Sequence, residues 1–175
     1  MAVASPQDLK PLLDHPALAA MPAALREAAA KALHGPVETD DPPAVLADAL
    51  EILRSLSADG EALAATLWHA VPALREQTTP AFAKAHPGVA VLVEGQQAAA
   101  QVWALHAQPD RMGNTEGLRR LLLAIVQDLR VVPILLARQL ARMRVAGKLP
   151  QARRRELAQL TRDIHAPLAN RLGIW

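Results

Sequence analysis

The sequence predicts an all-α protein, and three observations carry the prediction. Strong helix formers fill almost every long segment. Apolar residues recur at helical spacing, as in "AVLADALEILRSLS", where Val45, Leu46, Ala49, Leu50, Ile52 and Leu53 share one broad face. Strand signals are almost absent, and neither a repeat nor a Gly-rich phosphate loop appears. At 175 residues with 51% hydrophobic content, one domain with a sizeable core is expected.

The elements run in order along the chain. "PALAAMPAALREAAAKALHG" reads as one helix with Gly35 as its stop. "VETDDPP" is a polar, proline-marked break. The Val45 helix comes next, then "ADGEALAATLWHAV", with Asp59 as a cap and Glu61 in the first turn. "TTPAFAKAHPG" is short and punctuated by Pro80, Pro87 and Gly88. "VAVLVEGQQAAAQVWALHAQ" opens like a strand, but its length and Ala/Gln content make it a helix. "PDRMGNTEG" is a loop. A long helix then covers Leu118 to Arg144, kinked at Pro133, with Val131, Leu135, Leu136, Leu140 and Met143 on its buried side. "VAGKLP" ends it, and "QARRRELAQLTRDIHAPLANRLGIW" begins another.

Composition removes several function classes. Asp128 and Arg130 interrupt the apolar residues of the long helix, leaving no membrane span there. "MAVASPQDLKPLLDHP" lacks the basic start and apolar stretch of a secretory signal. Without cysteine there is no disulfide framework and no thiolate metal site. A cytoplasmic protein is the expectation. Aromatics are 2% of the chain, so stacking platforms for single-stranded nucleic acid are nearly missing. A net charge of +2 is too small to mark a nucleic-acid footprint by itself.

The C-terminal half carries a specific pattern. "TEGLRRLLLAIVQDLRVVPILLARQLARMR", with "IHAPLANRLGIW" beyond it, resembles the RelA/SpoT family of alarmone synthetases and hydrolases. Upstream, "LAATLWHAV" is similar to the family's "AALLHDV" segment, and "REQ" and "VAVLVEG" resemble the family's residues just C-terminal to that segment. The resemblance runs from about Val45 to Trp175. It implies an HD-domain-like multi-helix bundle over 43–175, preceded by a weakly matched helical segment over 1–42. It also implies a synthetase domain beyond Trp175 in a longer parent.

In that family the hydrolase removes the 3′-pyrophosphate from guanosine tetraphosphate. A manganese ion activates the water and neutralises phosphate oxygens. Its ligands are an early His, an adjacent His-Asp pair and a distant Asp, with a Glu-Asp pair managing protons. By ungapped spacing, this sequence has Val45 for the early His and His69-Ala70 for the pair. Ala73 and Leu74 stand for Glu-Asp, and Arg138 for the distant Asp of "LADRLHNMR". The neighbouring His and Asn fall on Ala141 and Arg142. A cation beside Arg138 meets like charge, costing about 4 kcal/mol per unit charge at ~4 Å in a surface-like dielectric. Arginine cannot deprotonate to relieve it. The expectation is therefore no metal and no catalytic residue in this domain.

Arg138 and Arg142, four apart, share one helix face and are expected to look toward His69. His69 is itself most simply a core histidine satisfied by one hydrogen bond. His15, His34, His86, His106 and His165 show no paired ligand spacing, nor do Asp40, Asp41, Asp110 and Glu116. Trp68 and Trp103 sit on apolar helix faces. "RMRVAGKLPQARRRE" offers Arg144, Lys148, Arg153, Arg154 and Arg155 as a basic surface, either plainly solvated or contacting RNA or the parent's synthetase domain.

The resemblance thus implies an inactive hydrolase-like regulatory domain of a (p)ppGpp synthetase. The parent would be a GTP pyrophosphokinase of the stringent response, moving pyrophosphate from ATP to GDP or GTP with magnesium. It would meet the ribosome through other parts. The alternatives are a metal-dependent guanosine tetraphosphate 3′-pyrophosphohydrolase and a helical RNA- or protein-binding module.

Overall fold

The computed structural model describes residues 2–106, 127–171 and 173. The expected loop over 109–117, the first part of the long helix, Asp110, Glu116 and Trp175 lie outside the described residues.

Among the described residues the architecture is all-α apart from one small ribbon. β1 (Ala2–Ala4) pairs antiparallel with β2 (Val37–Thr39), Val3 facing Glu38. The sequence does not announce this ribbon, because two three-residue strands leave no readable alternation. It closes the first helices into a loop that returns to the start of α3.

α1 (Pro6–Leu13) begins with a capping box: the Ser5 hydroxyl accepts from the Asp8 N–H, and the Asp8 carboxylate accepts from the Ser5 N–H. The helix expected over residues 16–35 is broken. A 3₁₀ turn (Pro16–Ala20) precedes α2 (Ala23–Ala32), because Pro22 forces Met21 to be extended, at φ −73° and ψ 151°. α3 (Pro43–Ser55) buries the expected face, with Ile52 only partly covered.

α4 (Gly60–Ala70) starts where predicted, the Asp59 carboxylate accepting from the Ala62 N–H at 2.8 Å. Residues 62–70 of α4 are all buried, so it is the central helix. Gly60 is required there: a Cβ would lie 2.2 Å from the Ala20 carbonyl oxygen. Short α5 (Pro72–Arg75) and α6 (Pro80–Ala85) lead into α7 (Pro87–His106), which includes the strand-like "VAVLV".

α8 (Val131–Arg144) corrects two expectations. Pro133 does not kink the helix. It lies in the first turn, where no intrahelical N–H partner is needed. The break falls before it, where Asp128 accepts from the Arg130 N–H at 2.9 Å. Arg130 also reaches Asp59 at 2.6 Å and Glu61 at 3.0 Å, tying the starts of α8 and α4 together. Second, Leu140 is 45% exposed and Leu136 and Met143 are only partly covered. The buried face carries Val131, Val132, Ile134, Leu135, Ala137, Arg138, Gln139 and Ala141 instead.

A 3₁₀ turn (Ala146–Lys148), α9 (Gln151–Leu160), a π turn (Thr161–His165) and α10 (Ala166–Arg171) form a C-terminal arm. The main core runs from Leu9 and Leu12 through Leu46, Leu50, Trp68 and Leu92 to Ile134, so residues of the first 42 share it. Among the described residues no helix is long and apolar enough to cross a membrane.

Candidate functional site

His69 lies in the last turn of α4 and is 6% exposed. Two clamps fix its surroundings. The Asp40 N–H donates to the Ala70 carbonyl at 2.8 Å, holding the segment before α3 against the end of α4. Arg75 of α5 donates to both Asp40 and the His69 carbonyl, each at 2.8 Å. Asp41 is thereby delivered into the interior, 5% exposed.

Arg138 approaches from α8 and is 4% exposed. Its Nε and Nη2 donate to Asp41 Oδ2 at 3.2 and 2.7 Å. Its Nη1 donates to His69 Nδ1 and, at 3.3 Å, to Gln96 Oε1 of α7. One turn on, Arg142 Nε and Nη2 donate to Asp41 Oδ1 and Oδ2 at 2.6 and 2.8 Å. Gln96 is held in turn by donating to the Ala65 carbonyl at 2.9 Å.

Electrostatics reflect burial and these pairs. Burial alone would raise the Asp41 carboxyl, but hydrogen bonds and charge from Arg142 and Arg138 outweigh it and hold the carboxyl below its usual range. Burial, then the charges of Arg138, Arg75 and Arg142, push the His69 imidazole down to about 3. The ring is neutral at pH 7. A guanidinium only donates, so Nδ1 is the acceptor and the ring proton sits on Nε2.

The expected site positions do not all stay together. His69, Arg138 and Arg142 come together around Asp41. Val45 and Ala141 meet in a small apolar cluster with Ala49. Ala70 and Leu74 belong to the main core, while Ala73 is exposed. The residue that faces His69 and Arg138 from the segment before α3 is Asp41, not Val45. Sequence reasoning gives no role to Asp41 or Gln96. "TDDPP" signals only a break, and a glutamine in an Ala/Gln-rich helix carries no mark of a role.

These donors do not fit a divalent ion. Both Asp41 oxygens and His69 Nδ1 already receive guanidinium N–H groups. Among the described residues no group of three or more His, Asp or Glu side chains is placed to hold a metal.

Beside this centre lies a cleft of about 650 Å³ between the arm and the body. Asp41, Arg142, Val145 and Trp103 line the body side, and Leu157 and Leu160 the arm side. His165, in the π turn, packs against Trp103 with ring centroids 4.7 Å apart. Burial pushes its imidazole down to about 4. The other described histidines are ordinary: His15 lies 3.7 Å from Glu51, His34 contacts the Ala30 carbonyl, and His86 packs on Phe82. Of the basic stretch, Arg144 pairs with Asp48 at 2.6 Å and Arg153 with Glu156 at 2.8 Å. Arg154 and Arg155 are exposed, and Lys148 is largely so.

Comparison with known proteins gives the family. A family model described as an HD domain matches residues 25–175. The bifunctional (p)ppGpp synthase/hydrolase SpoT of Escherichia coli (strain K12) is 37% identical over 127 residues, covering 70% of this chain and 17% of that protein. A GTP pyrophosphokinase of Photobacterium angustum is 34% identical over 129 residues, covering 71% of this chain and 17% of its own. A probable guanosine-3′,5′-bis(diphosphate) 3′-pyrophosphohydrolase of Synechocystis is 48% identical over 60 residues, 34% of this chain and 8% of that one. The chain thus spans about a sixth of the length of the two longer-matched relatives. The chain belongs to the HD domain family, as an HD-type domain of the RelA/SpoT kind.

Proposed function

We propose that this chain is a catalytically inactive, hydrolase-like regulatory domain of a (p)ppGpp synthetase. The relatives' names do not decide the matter, because hydrolases and a GTP pyrophosphokinase match at similar identity. The observation that carries the reading is the buried Arg138 guanidinium between His69 and Asp41. It occupies the donors that a hydrolytic metal ion would need. His69 is left as a neutral acceptor for Arg138, and Asp41, the carboxylate of this centre, is fully engaged by two arginines rather than open to the proton of an attacking water. On this reading manganese has no place in the domain, and magnesium serves only the parent's synthetase domain.

The parent would transfer pyrophosphate from ATP to the 3′-hydroxyl of GDP or GTP. This domain would act on it through packing that differs between two states, since a regulatory domain influences its neighbour only by differential contact. The outer face of α9, with Arg154 and Arg155, is the surface offered for that contact with the synthetase domain. The ribosome would be met through other parts of the parent, in the cytoplasm. The test is direct. The purified chain, incubated with guanosine tetraphosphate and manganese, should release neither pyrophosphate nor GDP, as read by anion-exchange chromatography. Release that EDTA abolishes would overturn the reading.

A further inference from the structure

We infer that the Arg138 guanidinium is a built-in cation, cross-linking the centre of this domain with His69, Asp41 and Gln96 as its ligands. The inference rests on the reading that metal chemistry is gone, and goes beyond it. The centre is refilled from within the chain.

The geometry is that of a coordinated ion. One planar group from α8 meets the segment before α3 through Asp41, α4 through His69 and α7 through Gln96. Each acceptor is itself oriented by a further bond. Asp41 takes two bonds from Arg142, Gln96 donates to the Ala65 and Leu92 carbonyls, and Arg75 pins the His69 carbonyl. Outer partners of this sort orient the ligands of a metal site.

Burial sets a condition that the arrangement meets. A guanidinium removed from water is costly unless it is paired and its donors are satisfied. Arg138 is 4% exposed and uses Nε, Nη1 and Nη2. A carboxylate supplies the counter-charge, and two neutral acceptors take the remaining bonds. The planar fork allows one side chain to serve three directions, which a lysine ammonium on a flexible stem matches poorly.

The cross-link has two consequences. The wild-type chain should be indifferent to divalent metals. The ligands should also still converge on one point, so a carboxylate at position 138 would join His69 and Asp41 as a third donor. The test is thermal unfolding of the whole chain, with EDTA or with millimolar cobalt(II), alongside visible absorption of the cobalt. The wild-type midpoint should not move. Arg138→Met should lose roughly 6–12 °C, and Arg138→Lys, which keeps a cation, should lose less. Arg138→Asp should gain several degrees with cobalt(II) and show a d–d band. Adding His69→Ala should remove both.

A wild-type midpoint that rises with metal and depends on His69 overturns the inference, as does Arg138→Met matching the wild type. Folded Arg138→Asp with no cobalt response overturns it too. If that variant does not fold, the ranking of Met, Lys and wild type decides. Hydrolysis of guanosine tetraphosphate by a chain whose midpoint ignores metal would instead sink the proposed function and leave the cross-link standing.

Discussion

Arg138 is 4% exposed, whereas the Arg153 side chain keeps 73% of its surface in solvent. The same guanidinium does opposite work in the two regions. In the body it bonds across chain separations of 42, 69 and 97 residues, so it holds distant elements together. In the arm, Arg153 donates to Glu156, one turn away. Between Arg142 and Arg162 the chain carries seven Lys and Arg side chains against one Glu, and no residue of α9 is buried. Partner distance and desolvation decide which arginine shapes the fold and which shapes the surface.

The contrast breaks first at Asp41. Asp41→Ala would leave Arg138 buried without its counter-charge, a loss of about 3–5 kcal/mol. Urea unfolding should show it. A loss under about 1 kcal/mol would mean that water or a shifted side chain replaces the carboxylate, and the body's arginine would then resemble the arm's.

The second cut compares two leucines of one helix. Leu135 is 3% exposed and Leu140 45%. Leu135→Ala should cost about 2–5 kcal/mol, and Leu140→Ala about 0.5 kcal/mol or less. Equal losses would show that α8 is rotated from the face described.

These cases mark how much is legible in the sequence. Helix content, the α3 face, the Asp59 cap and the shared face of Arg138 and Arg142 come from local periodicity and cap chemistry. The buried side of α8 does not. Leu140 is apolar and Arg138 charged, so hydropathy ranks them in the wrong order. A buried arginine is decided by Asp41 on a distant segment, and no spacing rule links the two. The same holds for Gln96. The π turn and the β1–β2 ribbon depend on tertiary partners and leave no local mark.

Acid should strain the fold through two buried imidazoles, one in the body and one in the arm. His69 titrates at about 3 and His165 at about 4 in the folded chain, below the ordinary 6.5. Between the folded and the ordinary values, the unfolded chain binds protons that the folded chain refuses. Their contribution is therefore complete above pH 6.5 and is lost as pH falls toward 4 and 3. The limiting slope is about 1.4 kcal/mol per pH unit for each imidazole. Asp41, whose carboxyl is depressed, adds its loss only below its ordinary value of 3.8. Urea midpoints should fall between pH 7 and pH 5, and His69→Gln should flatten that fall. An unchanged slope in that variant would place the proton uptake elsewhere.

The smallest effect belongs to the arm's outer face. Arg154 and Arg155 are exposed on a helix whose inner side, at Leu157 and Leu160, lines the cleft. Reversing both charges breaks no ion pair among the described residues, and it exchanges one long, helix-compatible side chain for another. Early acidic residues on α9 even suit its N-terminal dipole. Arg154→Glu/Arg155→Glu should thus leave stability within about 0.5 kcal/mol of wild type. A larger loss in urea unfolding would mean that the arm's arginines hold structure as Arg138 does. A silent result would leave them free for a partner. The same double variant, placed in the parent, then becomes a clean test of the contact proposed for α9, because any change in synthetase activity could not be blamed on a weakened fold.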